Sequence, residues 1–127
     1  MKHVTRNIPP ADAQDLFERS ARACLAFATE AGPCALPVVG IVNAQRYFVG
    51  LPATTPLLPT ALQEVVLLLD HGVYFFDLRA LYMRGQAHPV VAPENAPAGR
   101  RWFEILPLTI VAWDYGQLRE DDDAARS

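Results

Sequence analysis

Few residues in this sequence are of types able to do chemistry, and the most telling stand together in YFFDLRALYMRG, residues 74 to 85. Read as a strand, this stretch puts Asp77 and Arg79 on one face among Phe75, Leu81 and Met83. A charged pair in such a place either ties two surfaces together or meets an anionic or carbonyl-bearing ligand, because a guanidinium keeps its charge and makes paired hydrogen bonds. Arg84 falls on the opposite face and serves the same site only if a bulge intervenes. Thr54 and Thr55 read as loop hydrogen-bonders, and Trp113 as core or interface packing. His3, His71 and His88 have no second ligand at metal spacing, and two cysteines alone do not build a zinc site, so no metal is expected. No Gly-rich phosphate loop, Ser-His-Asp spacing or Cys-His nucleophile is present. No catalytic residue is therefore assigned, and any reaction belongs to a bound cofactor.

The elements that must position these residues are mostly strands. Pro9, Pro10 and Asp12 are helix-start signals, and Leu16, Phe17, Ser20, Ala21 and Cys24 recur at three- and four-residue intervals, which predicts one short amphipathic helix through ADAQDLFERSARAC. Six extended segments follow: CLAFAT, CALPVVGIV, RYFVGL, EVVLLLD, VYFFDLRALYMRGQAHPV and RWFEILPLTIVAWDYG. EAGP, NAQR and DHGV are short enough for hairpins, so the first three segments are expected to form a meander and the fourth to pair with the fifth. In that register Cys24 lies too far from Cys34 for a disulfide, and both are expected to be buried free thiols. PATTPLLPTALQ excludes a regular strand, and the crossover over residues 88–101 is irregular; connections this long are often functional.

Mostly antiparallel strands point to a mainly β barrel, which hides both an apolar face and its edges. EVVLLLD and VYFFDLRALYM are apolar on both faces, more than the outside of a lone barrel tolerates, so a second copy of the chain is the expected cover and a homodimer the expected assembly. The 127 residues suit one domain, taken as 1–118, with 119–127 an acidic tail expected to be disordered. A net charge of −3 gives no electrostatic case for nucleic acid. No apolar run suits a signal peptide or a membrane span, so a cytoplasmic protein without a membrane partner is expected.

The order of helix, strands, Pro/Thr loop, EVVLLLDHGVYFFDLRALYMRGQA and closing WFEILPLTIVAWDYGQLRE resembles the pyridoxamine 5′-phosphate oxidase-like, flavin-binding split β-barrel family, over roughly residues 15 to 118. The most telling parts are FDLRALYMRGQA, with Met-Arg-Gly-Gln-Ala at 83–87, and IVAWDYG. The resemblance implies a six- to seven-stranded antiparallel split barrel with a short N-terminal helix. It also implies a homodimer with flavin sites in the clefts between subunits. FMN is the usual ligand, some branches use the deazaflavin F420, and some members bind haem or have no known catalysis. The implied activity is an FMN-dependent oxidoreduction of a small substrate; the alternative is a non-catalytic dimer holding F420 or another small ligand. Carried onto this chain, the implied cofactor-binding positions are Pro37, Val38, Thr54, Thr55, Arg79, Arg84 and Trp113. The stretch where relatives hold a phosphate has Thr54, Thr55 and Thr60 here but only one basic residue, Arg46.

Overall fold

The computed structural model describes residues 2–19, 22–116 and 119–122. Strands β3 (Arg22–Thr29), β4 (Gly32–Pro37), β5 (Val39–Asn43), β6 (Arg46–Pro52), β7 (Glu64–His71), β8 (Arg79–Pro89) and β9 (Arg100–Asp114) form one antiparallel sheet in the order β4-β3-β7-β8-β9-β6-β5. The strand β2 (Asn7–Ile8) pairs with the end of β9, and β1 (Lys2–Thr5) pairs with β10 (Arg119–Asp122). The first residues of the acidic tail are thus a strand; residues 123–127 lie outside the described ones. β4 and β5 stand at opposite ends of the sheet yet only Val38 separates them, so the sheet curls into a split barrel. The expected meander is interrupted in its middle segment. The segment CALPVVGIV breaks at Val38, its first half pairing with β3 and its second half with β6.

Alternation along the ladders separates two faces. Leu25, Leu67, Leu69, Leu81, Met83, Val49 and Ile105 point inward and are essentially inaccessible, forming one core with Phe27, Phe103 and Ala112. Burial of this kind, worth about 1.5–3 kcal/mol per large apolar side chain, is the main support of the fold. The predicted helix shrinks to a 3-10 turn, Pro10–Ala13, and one helical turn α1, Leu16–Arg19, because Arg22 already begins β3. Ala13, Leu16 and Phe17 from this segment cap one mouth of the barrel. Cys24 and Cys34 are free, as expected, although both are half-buried rather than buried. Among the described residues no helix is long and apolar enough to cross a membrane.

Asp77 and Arg79, expected on one strand face, do not share a strand. Residues Phe75–Asp77 form a 3-10 turn rather than strand, and β8 begins only at Arg79. Asp77 closes that turn: its Oδ1 accepts the Tyr74 N–H at 2.9 Å. Gly72, at φ 122°, permits the tight approach, since a Cβ there would lie 2.6 Å from the Asp77 carbonyl. Arg79 turns instead to the N-terminal segment. Its two terminal nitrogens donate to Asp15 Oδ2 and Oδ1, each at 2.8 Å, one of them also reaches the Asp12 carbonyl at 2.9 Å, and its Nε faces Asp114 Oδ2 at 3.7 Å. One guanidinium therefore fastens the capping segment to the ends of β8 and β9. The Arg79 hydrogen bonds hold the Asp15 carboxyl below its ordinary value, and Asp15 in turn raises that of Arg79.

Arg79→Ala is expected to destabilise the chain by about 1.5–2 kcal/mol, the lower half of the range for charge-assisted hydrogen bonds because Asp15 is over a third exposed. Thermal unfolding in the wild type and the variant measures it. Because the folded-state pKa of Asp15 is depressed below 3.8, its contribution is complete above about pH 4 and is lost as pH falls through the folded value. Asp15→Asn should accordingly lower stability at neutral pH and flatten its loss between pH 4 and lower values; an acid limb unchanged by Asp15→Asn contradicts this.

Candidate functional site

Cross-strand pairing places the outward-facing residues of β4, β3, β7, β8 and β9 in rows. Pro37, Cys24, Leu68, Tyr82 and Val111 form one row; Arg22, Asp70, Ala80 and Trp113 form the row on one side of it; Ala35, Ala26, Val66, Arg84 and Thr109 form the row on the other. The centre of this outer face is apolar and its rim is charged. At one rim Arg22 Nε lies 2.7 Å from Asp70 Oδ1, and at the other Arg84 Nε lies 3.1 Å from Glu64 Oε1. Leu68 in the middle keeps 40% of its surface exposed. The pattern of apolar centre and polar rim is that of an association surface.

A groove of about 380 Å³ opens at the edge of this face, where Cys24, Leu68, Pro37 and Val38 form the walls and Arg22 and Asp70 the rim. β4 is the last strand of the sheet, so its outer edge presents N–H and C=O groups without a ladder partner among the described residues. The groove therefore combines an apolar slot with a polar backbone border, the arrangement that orients a flat ligand carrying hydrogen-bonding groups along one side. Val38 itself is fixed by its N–H donating to the Ala23 carbonyl at 3.0 Å.

The sequence-derived positions divide. Pro37 and Val38 line the groove, and Trp113, half-buried opposite Ala80, and Arg84 lie on the same outer face. Arg79 does not: it shares the inward face of Leu81 and Met83 and is engaged by Asp15 and Asp114. The ladder does slip between Arg84 and Gly85, but beyond Arg84, so it does not bring the two arginines onto one side. Gly85 is required at that slip, since a Cβ would stand 2.5 Å from the Leu106 carbonyl. Thr54 and Thr55 belong to the turn after β6, level with Arg100 on β9 and apart from the outer face, and the Thr55 hydroxyl accepts the Leu57 N–H of its own loop at 3.4 Å. Leu68, Tyr82 and Val111 were not singled out by sequence, and Cys24 was read only as a helix position and a free thiol; in EVVLLLD both alternating sets are apolar, so the outward one carries no mark.

Three of the cations on or near this face, Arg22, Arg84 and Arg46, are paired with carboxylates. Arg22 is paired with Asp70 and also donates to the Gly72 carbonyl at 2.9 Å. Arg46, at the start of β6, makes a two-pronged contact with Glu104 at 2.9 and 2.6 Å, which pushes the Glu104 carboxyl below its ordinary value. Tested against a flavin, the groove suits the flat ring system through its apolar walls and the strand edge. For a phosphate, the two arginines of these rows, Arg22 and Arg84, are already paired with carboxylates.

A scan with protein-family models finds no match, and curated proteins provide no similar sequence either. Solved structures do share the fold. An FAD-binding protein from Mycobacterium smegmatis is 17% identical, with a TM-score of 0.64 over 85% of this chain and 98% of that one. An FAD and haem binding protein from the same organism is 10% identical, with a TM-score of 0.66 over 94% of this chain and 78% of that one. A protein provisionally named pyridoxamine 5′-phosphate oxidase from Corynebacterium glutamicum is 12% identical, with a TM-score of 0.64 over 86% and 91%. By its strand order, its curled sheet and these likenesses, the chain has the pyridoxamine 5′-phosphate oxidase-like split β-barrel fold known from flavin-binding proteins.

Proposed function

We propose that the chain is a flavin-binding homodimer in which the apolar outer face meets its copy and the groove at Pro37 and Val38 receives the isoalloxazine ring. The observation that carries this reading is the continuity of that groove with the outer face: Cys24, Pro37 and Leu68 belong to both. A partner subunit seated on the face would close the open side of the groove and exclude water from it. Leu68 and Val38 would hold the ring by contact, and the unpaired edge of β4 would fix its orientation through backbone groups. Trp113 and Tyr82 would extend the apolar contact across the interface.

When bound, a flavin supplies hydride or single-electron transfer, and the finer reading is an FMN-dependent oxidoreductase acting on a small substrate. The second reading, a dimer that holds F420 or another small ligand without catalysis, is favoured by one observation. Arg22 and Arg84, the arginines of the outer-face rows, are already matched with carboxylates, so they offer a phosphate little beyond what water offers it.

Titration of the purified protein with FMN, riboflavin and F420, followed by flavin or deazaflavin fluorescence, tests the ligand. At least one is expected to bind below about 100 μM, with riboflavin within about tenfold of FMN, that is, within about 1.4 kcal/mol. Failure of all three to bind removes the flavin reading, and a preference for FMN far above tenfold removes the inference about phosphate. Sedimentation tests the assembly. The wild type should be a dimer burying more than about 2,000 Å² in total, as obligate interfaces do. Leu68→Asp, on a surface residue, should remain folded while shifting the chain to monomer, since a carboxylate would then be buried unpaired between subunits. Leu81 is unsuitable for this purpose: it faces the core and is fully buried, so a charge there would unfold the chain. A wild-type monomer at about 50 μM, or a dimer indifferent to Leu68→Asp, contradicts the proposed interface.

A further inference from the structure

The barrel has two mouths, and each carries an inward-facing arginine. At one, Arg79 stands opposite Asp114, and the N-terminal segment supplies Asp15 to its fork. At the other, Arg101 stands opposite Leu51 on the same inward face as Phe103 and Ile105, beyond the last β8–β9 pair, Pro89 with Phe103. Arg101 is exposed and has no hydrogen bond or ion pair among the described residues. Its neighbour Arg100 donates to the Gly50 carbonyl at 3.0 Å and meets no carboxylate among them.

Arg101 borders a groove of about 440 Å³. The groove is made by the two long connections that the sequence marks as irregular: Leu58 and Pro59 of the Pro/Thr loop form one wall, Pro89, Val90 and Ala92 of the crossover the other, and Trp102 and Phe103 lie along the floor. No acidic residue lines it. The volume lies in the range of small-molecule sites, and its walls are apolar except for the two guanidinium groups. Proline in both walls limits the entropy lost when a ligand orders the loops. An uncompensated guanidinium at the border of an apolar groove selects a planar monoanion with an apolar body, since its fork matches a carboxylate.

We propose that this groove is a binding site for small organic acids, in which Arg101 takes a ligand carboxylate as Arg79 takes that of Asp15, while Leu58, Pro59, Val90 and Phe103 hold the apolar body. The site lies at the start of β9, at this end of the barrel, and is separate from the outer-face groove. It does not depend on flavin binding.

Trp102 supplies a reporter. In ¹⁵N-labelled protein the two indole N–H signals, assigned with Trp113→Phe, are followed by NMR while 4-cyclohexylbutyrate or its uncharged amide is added. The acid should move the Trp102 signal saturably and leave that of Trp113 in place, and the amide should bind at least about tenfold more weakly. Arg101→Gln, an exposed substitution expected to keep the melting temperature, should weaken the acid by at least about tenfold and leave the amide unchanged. Equal binding of acid and amide by the wild type, an unmoved Trp102 signal, or undiminished acid binding by Arg101→Gln overturns the proposal. The comparison of acid with amide on the wild type holds even if the variant fails to fold.

Discussion

The fold rests on one constraint of chain connectivity. Strands β4 and β5 are joined by Val38 alone, yet five strands lie between them in the sheet. In a flat sheet, six inter-strand steps of about 4.8 Å would separate them by about 29 Å, whereas one residue spans about 3.5 Å. The sheet must therefore curl until its ends approach. Curling sends Leu25, Leu67, Met83, Ile105 and Val49 into a single interior, and it leaves two mouths and one outward face to be dealt with separately.

The mouths are dealt with by different means. The first is capped by Ala13, Leu16 and Phe17, and this cap has too few residues to be a stable helix on its own. It is held by what it touches, through the fork of Arg79 on Asp15 and through the Gln14 side chain donating to the Tyr47 hydroxyl at 3.0 Å. The second mouth has Pro59 buried against it but no acidic residue along its groove. The same residue type, placed inward at the two ends of the β8–β9 ladder, is thus consumed by the fold at one end and left available at the other.

The existence of most strands was legible because turn chemistry punctuates apolar runs: Gly32 after TEA and the Ala44–Gln45 pair, both at positive φ, sit where the hairpins turn. The face of each strand was less legible. Alternation assigns faces only when one set is polar, and in EVVLLLD and ALYM neither is, so Leu68 and Tyr82 could not be told from Leu67 and Met83. Asp77 and Arg79 share a face only if the chain stays extended between them, and the turn at Phe75–Asp77 removes that premise. The N-terminal periodicity is real in Leu16 and Phe17 but ends early, because β3 claims Arg22 onward for pairing with β7. The break at Val38 has one local signal, Pro37, which has no N–H to give a ladder and ends β4, but Val-Val favours an extended chain beyond it and so hides the break.

An outer face that is apolar at its centre and ringed by ion pairs has a consequence for how binding and assembly relate on the proposed reading. Arg22–Asp70 and Arg84–Glu64 lie at the rim, half-solvated, where such pairs contribute little stability but disfavour any misplaced apposition that would desolvate them unpaired. Leu68, Cys24 and Pro37 belong both to this face and to the wall of the groove. A ligand held in the groove and covered by the second subunit interacts with the dimer and not with the monomer, so its binding free energy is added to that of association. The apolar rows that leave the single chain with an exposed surface are then the same rows that make a ligand's affinity depend on the state of assembly, and the two properties cannot be altered independently by substitution at Leu68.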